Sequence, residues 1–122
     1  MRAALVVFSG EYGVACKEQW REELASLCAE PNVIIDFSDV TRLDAMCVTE
    51  VLRMHERRRA QGFDRETVVL GQTTVRRLFD LLRMNDVVRV VESLDDAFRG
   101  LNAPAGKGAA STSRRPAYGS RI

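Results

Sequence analysis

Apolar residues alternate along this chain between short continuous runs and stripes with helical spacing. The continuous runs, rich in β-branched residues, predict buried strands at residues 4–8, 33–37, 67–70 and 87–91. The stripes between them predict helices that cover residues 14–28 and begin near Asp44, Thr73 and Ser93. Because strands and helices alternate throughout, the sequence predicts an α/β fold: a four- or five-stranded, mostly parallel sheet packed with about four helices.

The strand at residues 33–37 and the helix after it organise the rest of the chain. Residues 38–43 are predicted to form a short polar connection. Asp44 is placed to cap the following helix, because its carboxylate can accept hydrogen bonds from the unpaired N–H groups of the first turn. The buried face of that helix comprises Val48, Val51 and Leu52. Such a helix start presents its N–H groups to solvent, at the sheet edge where α/β proteins meet ligands and partners.

Local signals also predict where other helices start and stop. Gly62 suits the left-handed conformation that ends the Asp44 helix. Thr73 or Thr74 is predicted to cap the third helix. Ser93 with Asp96 has the form of a capping box, which predicts the start of the fourth helix.

The composition supports one compact domain with a distinct tail. With 122 residues, of which 46% are hydrophobic, the chain can bury one core. Residues 102–122 contain four cations and no acid, so a total charge of +1 leaves −3 for the remainder. That segment is rich in Ala, Gly, Ser and Pro and offers little burial to offset its ordering entropy. We predict a domain at residues 1–101 and a disordered basic tail at residues 102–122.

Membrane, secreted and nucleic-acid-binding classes are disfavoured. No apolar stretch is long enough to span a bilayer, and the apolar start of the chain is too short for a signal peptide. The three cysteines form no Cys-x-x-Cys pair and argue against a disulfide scaffold. The arginines at residues 57–59 are predicted to lie on the solvated side of their helix, near its C-terminal dipole end. The sequence therefore predicts a cytoplasmic protein without a membrane or nucleic-acid partner.

The sequence contains no set of residues typical of catalysis or of a cofactor site. His55, the single histidine, lies on or beside the buried stripe of its helix, so no Ser/His/Asp or Cys/His set can be assembled around it. Asp36, Asp39 and Asp44 cluster on one short segment but lack the ligand alternation of a calcium loop. We therefore predict a protein that is not an enzyme and has no metal site and no cofactor.

An ordered set of short motifs resembles the STAS domains of bacterial anti-sigma factor antagonists. Its centre is the pattern Asp-x-Ser-x-Val-x-x-Leu-Asp at residues 36–44, which follows a buried strand and precedes small residues and an apolar helix. Matching elements lie in the same order on both sides, at Gly10-Glu11, Gln61-Gly62, residues 75–79 and residues 93–97. The resemblance covers residues 5–101 and implies the α/β fold of that family.

Two features depart from the family pattern. Gly13 stands where the family's Gly-Glu-Leu-Asp turn has its aspartate. Family members usually begin with an extra strand that pairs with the one before Gly10, and only nine residues precede Gly10 in this chain. Either that edge strand is absent or another element covers the exposed edge.

The resemblance implies that the protein is an anti-sigma factor antagonist. Its implied partner is an ATP-binding anti-sigma factor of the histidine-kinase-like fold, and binding releases a sigma factor. The residues implied to bind this partner are Glu11, Asp44, Ala45, Met46, Cys47, Thr49 and Glu50. In regulated family members a serine phosphorylated by the partner kinase stands at the position of Met46, and a thioether cannot accept a phosphoryl group. An apolar Met46 flanked by charged residues fits an interface core with a polar rim.

A second class of function stays open, a STAS-type sensor or scaffold that binds a small ligand or assembles with itself. Its redox version involves Cys16 and Cys47, each predicted in the first turn of a helix at the same sheet edge. There the helix dipole favours the reactive thiolate, although the carboxylate of Asp44 opposes it. The more ordinary interpretation is that both cysteines fill space in the core.

Overall fold

The computed structural model describes residues 2–102 and 111–116. The elements in chain order are β1 (Arg2–Tyr12), α1 (Lys17–Ala25), β2 (Val33–Leu43), α2 (Ala45–Ala60), β3 (Thr67–Leu70), α3 (Thr73–Leu81), β4 (Arg89–Val91), α4 (Leu94–Asn102) and β5 (Ser111–Pro116). Short 3-10 helices at Val14–Cys16 and Met84–Asp86 precede α1 and β4, so α1 is shorter than the predicted residues 14–28. The predicted α/β alternation is confirmed. Within the described part of the chain, no helix combines the length and the apolar character needed to cross a membrane.

The strands form one parallel sheet in the order β4-β3-β2-β1-β5. β2 lies at the centre, where Ile34 pairs with Leu5 of β1 and with Thr67 of β3. Its first five residues are all buried, the pattern of a parallel strand covered on both faces. Because β1 and β2 run in the same direction, their carboxyl ends lie together, and α2 begins at that edge.

Helices cover the two faces of the sheet unequally. On one face α1, α2 and α3 enclose the larger core. The centre of that core is a buried aromatic cluster of Phe8, Tyr12, Trp20, Phe37 and Phe79. On the other face α4 packs over a smaller core that includes Leu5, Ile34 and Ala97. The start of α2 therefore belongs to the face with three helices.

β1 and β2 are longer than the apolar runs that predict them. Residues 38–43, predicted as a polar connection, continue β2 and pair with residues 9–12 of β1. The register shifts between Val7 and Ser9 and again just after Gly10, as in β-bulges. The predicted connection is wrong because backbone pairing between two extended segments does not require apolar side chains.

Two of the predicted helix signals are confirmed and one is wrong. Gly62 adopts a φ of +86° just after α2, as expected for a left-handed helix end. The hydroxyl of Ser93 accepts a hydrogen bond from the N–H of Asp96 at 3.1 Å, which confirms that half of the capping box. The threonine cap of α3 is wrong, because α3 begins at Thr73 and its N-cap, Gln72, makes no side-chain hydrogen bond.

The segment predicted to be a disordered tail, residues 102–122, is described only in part. Asn102 ends α4, and Ser111–Pro116 forms β5 alongside residues 2–7 of β1. The rest of the segment lies outside the described residues, and the division into a domain at residues 1–101 and a tail at residues 102–122 stays a prediction. β5 covers the edge of β1 that the sequence analysis leaves open, because the backbone N–H and C=O groups of an edge strand can pair with any extended segment.

Candidate functional site

The candidate site lies where β1 and β2 end and α2 begins. Tyr12 and Leu43, the last residues of the two strands, are paired. The N–H of Asp44 donates a hydrogen bond to the carbonyl of Tyr12 at 2.9 Å. This backbone bond ties the start of α2 to the end of β1, so the first turn of the helix has a fixed position on the sheet.

Asp44 is the N-cap of α2, which confirms the prediction. Its backbone is extended, and its Oδ1 accepts a hydrogen bond from the N–H of Met46 at 2.8 Å. The N–H of Cys47 donates to the Asp44 carbonyl at 2.9 Å. A side-chain cap of this kind contributes about 1 kcal/mol to stability. It also orients the turn that carries Met46.

The outer side of this first turn presents one apolar side chain among polar ones. Ala45, Met46 and Thr49 are exposed, and Met46 is 41% exposed. The hydroxyl of Thr49 donates to the Ala45 carbonyl at 3.2 Å, a bond to the preceding turn. Half-buried Asp44 and Glu11 lie at the margin. We call this surface, made of Glu11, Asp44, Ala45, Met46 and Thr49, the Met46 patch.

Two of the residues predicted to bind the partner are buried, so their assignment to the exposed surface is wrong. Cys47 is fully buried, with its Sγ 4.0 Å from the carbonyl oxygen of Gly13. Glu50 is 4% exposed, and its Oε1 accepts hydrogen bonds from Arg21 of α1, at 3.0 Å from Nη2 and 3.3 Å from Nε. The spacing of residues along α2 does not reveal which other segments pack against it, and these contacts decide the burial.

The environment of Cys47 disfavours redox chemistry. Burial raises the pKa of the Cys47 thiol to about 11, and the nearby Asp44 carboxylate and Cys16 add to the effect. The thiol is therefore protonated at neutral pH, whereas the thiolate is the reactive form. Cys16 is also buried, and both cysteines are free. These observations favour space-filling roles over the redox pair that the sequence leaves open.

A depression of about 350 Å³ lies beside the Met46 patch. Glu11, Arg42 and Asp44 contribute charged groups to its lining. Glu11 lies opposite Arg42 in the backbone register of β1 and β2. Glu11 and Asp44 both line the depression and so belong to one continuous surface. Tyr12 also lines the depression, and burial raises the pKa of its phenol, which is therefore neutral at physiological pH.

The three carboxylates near the end of β2 have separate environments. Asp36 is buried, and its Oδ1 accepts from the N–H and the hydroxyl of Ser38 at 2.8 and 2.6 Å. Asp39 is exposed, and Asp44 caps α2. Among residues 2–102 and 111–116, no three His, Cys, Asp or Glu side chains are grouped in a way that would hold a metal ion.

The far end of α2 contains a buried charged network that the sequence analysis misses. Arg58 and Glu66 are fully buried, and the Arg58 guanidinium donates to the Glu66 carboxylate. Nδ1 of His55 lies 2.6 Å from the other Glu66 oxygen. The prediction that residues 57–59 are solvated is wrong for Arg58. A signal was available, because Arg58 follows Val51 by seven residues and so lies on the buried stripe of the helix.

Comparison with known proteins agrees with this architecture. The family model described as STAS domain matches residues 2–97. An anti-sigma factor antagonist from Mycobacterium paratuberculosis is similar in structure, with a TM-score of 0.69 and 20% identity, covering 80% of this chain and 86% of that one. The anti-sigma factor antagonist SpoIIAA in its unphosphorylated form is similar at a TM-score of 0.62 and 17% identity, covering 80% of this chain and 88% of that one. At these identities the likeness shows a shared fold. Comparison with curated proteins gives no significant match.

Proposed function

Because this chain belongs to the STAS domain family, we propose that it acts as an anti-sigma factor antagonist. It binds an anti-sigma factor of the ATP-binding, histidine-kinase-like class, and the binding releases a sigma factor for transcription. The proposed activity is stoichiometric protein binding in the cytoplasm. It involves no catalysis, no cofactor and no direct contact with nucleic acid.

The observation that carries this proposal is the exposure of Met46 in a fixed backbone setting. The side chain is 41% exposed, while the Asp44 cap and the bond to the Tyr12 carbonyl hold its turn on the sheet. A preorganised surface loses less conformational entropy when a partner binds. An unbranched thioether adapts its shape to an apolar pocket, and the polar margin of the Met46 patch supplies the rim of such an interface.

We further propose that binding is not switched by phosphorylation at position 46. Met46 has no hydroxyl group that could attack a phosphoryl donor. The hydroxyl of Thr49, one turn further along, is engaged with the Ala45 carbonyl inside the helix. The partner would therefore bind this protein whether or not it acts as a kinase, and release of the sigma factor would follow the relative amounts of the two proteins.

The test replaces Met46 by arginine and measures affinity by calorimetry against purified ATP-binding anti-sigma factors from the source cell. We expect one of them to bind the wild-type chain. Met46→Arg should weaken that binding by at least about tenfold, because an unpaired charge would be buried in the interface. The far-UV circular dichroism should stay unchanged, since Met46 is exposed and is not part of the buried core.

Leu81 provides a matched control. It is 78% exposed and lies in α3, outside the Met46 patch. Leu81→Arg makes the same kind of change on another surface and should leave the affinity unaltered. The proposed function is wrong if no such anti-sigma factor binds the wild-type chain. The proposed location is wrong if Leu81→Arg weakens binding and Met46→Arg does not.

A further inference from the structure

Strand β5 ends at a place from which the chain is directed towards the Met46 patch. Pro116, the last residue of β5, lies opposite Val7 of β1. Because β5 runs parallel to β1, the chain at Pro116 points towards the carboxyl end of β1, where the depression lies. Within the described residues, no strand pairs with residues 8–12 of β1 on the β5 side of the sheet. A route along the edge of β1 is therefore open from Pro116 to the depression.

The charges that line the depression are not balanced. Two carboxylates, of Glu11 and Asp44, face one guanidinium, of Arg42, which leaves a net charge of −1. Among residues 2–102 and 111–116, neither Glu11 nor Arg42 forms an ion pair. Oδ1 of Asp44 is engaged as the cap of α2, so the Glu11 carboxylate is the better acceptor for a further cation. The volume of about 350 Å³ leaves room for one long side chain.

The residues that follow Pro116 supply one cation at a matching distance. Residues 117–122 contain Arg121 and no acid. Arg121 follows Pro116 by five residues, just as Tyr12 in the lining of the depression follows Val7 by five. Extended segments advance by about 3.3 Å per residue, so an extended course beside β1 brings Arg121 level with Tyr12 and next to Glu11.

We propose that residues 117–122 dock along residues 8–12 of β1 and place the Arg121 guanidinium in the depression, where it pairs with the Glu11 carboxylate. The backbone groups of an edge strand pair with any extended segment, and a planar guanidinium matches a carboxylate with two parallel hydrogen bonds. Glu11 and Asp44 belong to both the depression and the Met46 patch, so the docked segment covers part of that patch. The contact is therefore autoinhibitory towards an anti-sigma factor, a consequence that rests on the proposed function.

The first test compares the backbone amide chemical shifts of the full chain in wild type and in Arg121→Gln. We expect the resonances of residues 42–44 to move, because the depression loses its occupant. Glu11→Gln should in turn move the resonances of residues 117–122, since it removes the acceptor of the ion pair. Added salt should produce smaller movements in the same direction, because it screens an exposed pair.

Lys107→Gln is the matched control. It removes the same charge from the stretch of chain that precedes β5. Ser111, the first residue of β5, lies opposite Arg2, at the end of β1 far from the depression. The control should therefore leave the resonances of residues 42–44 in place.

A charge exchange separates a direct pair from a general effect of charge. Arg121→Glu should undock the segment, because two carboxylates then repel each other. Adding Glu11→Arg should return the resonances of residues 42–44 towards their wild-type positions. No movement in Arg121→Gln, equal movement in Lys107→Gln, or no return in the exchanged protein would each overturn the proposal. Movements that depend on protein concentration would place the segment of a second copy in the depression and would overturn it as well.

The affinity for an anti-sigma factor tests the regulatory consequence separately. An exposed ion pair stabilises the docked form only slightly, so Arg121→Gln should strengthen binding by about two- to fivefold, whereas Lys107→Gln should not. Equal affinities of Arg121→Gln and wild type would overturn the autoinhibitory role and leave the proposed function in place. If the chemical shifts support docking and no ATP-binding anti-sigma factor binds, the proposed function is wrong and the docked segment stands.

Discussion

The two ends of α2 differ in which kind of side chain they expose and which they bury. At the start of the helix an apolar side chain, Met46, is left 41% exposed. Near the end of the same helix a charged side chain, Arg58, is fully buried. Whether a side chain is buried therefore depends on the hydrogen-bond and charge partners that the fold supplies, and residue type alone does not decide it.

The buried end is a clamp between two loops. The Arg58 guanidinium donates to the backbone carbonyls of Glu30 at 2.9 Å, Pro31 at 3.0 Å and Asp64 at 2.9 Å, in addition to the Glu66 carboxylate. These carbonyls lie in the connections before β2 and before β3. A buried charge is tolerated only when it is paired and its remaining donors are satisfied, and this geometry provides both. The far end of α2 therefore stabilises the fold.

The exposed end has the opposite character. The Asp44 side chain accepts a hydrogen bond from the first turn, and the apolar side chain of Met46 stays 41% exposed. The free energy that burial of Met46 would contribute is therefore available to an interface. The C-terminal end of α2 therefore stabilises the fold, and its N-terminal end carries the surface that we propose binds a partner.

The largest expected effect is at the anchored end. Glu66→Gln leaves the Arg58 charge buried without its counter-charge, so we expect the free energy of unfolding to fall by about 3–5 kcal/mol. Urea unfolding followed by the fluorescence of Trp20, the single and fully buried tryptophan, measures this loss. Glu92→Gln is the control, because Glu92 is 78% exposed and its pair with Arg76 is worth at most about 1 kcal/mol. Equal losses in both variants would contradict the contrast between the two ends.

A smaller loss is expected at the start of the helix. Asp44→Ala removes the side-chain acceptor for the Met46 N–H and should lower the free energy of unfolding by about 1 kcal/mol. Asp44→Asn keeps an acceptor at the same place and should lose much less. The same urea titration compares the three proteins. A loss from Asp44→Ala as large as that from Glu66→Gln would mean that both ends anchor the fold.

An effect that develops only at alkaline pH concerns Cys47, just behind the exposed turn. Because burial raises its pKa from 9.0 to about 11, the folded protein holds the thiol proton more tightly than the unfolded chain does. This contribution to stability is complete below pH 9.0 and is lost as the pH rises towards about 11. The free energy of unfolding, measured by urea titration, should therefore fall more steeply for wild type than for Cys47→Ala as the pH rises above 9.0. Parallel curves would show that Cys47 does not titrate in this way.

Features that depend on a few neighbouring residues were predictable. The Asp44 cap, the left-handed Gly62 and the Ser93 hydrogen bond each involve groups that lie close together in the chain. The apolar runs that begin the strands report burial directly, because a parallel strand is covered on both faces. The α/β class, the order of elements and the exposure of Met46 followed from these local signals.

Features that depend on contacts between different segments of the chain could not be predicted from the sequence. Residues 38–43 are a strand because β1 runs beside them, and Ser111–Pro116 is a strand because the edge of β1 is free to pair with it. Glu50 and Arg58 are buried because Arg21 and Glu66 meet them, and those partners lie 29 and 8 residues away. Backbone pairing and charge neutralisation are satisfied by whichever group the fold brings close. The amino-acid sequence therefore sets the elements and their local ends, and the packing of the chain assigns which polar residues become structure and which surface remains for a partner.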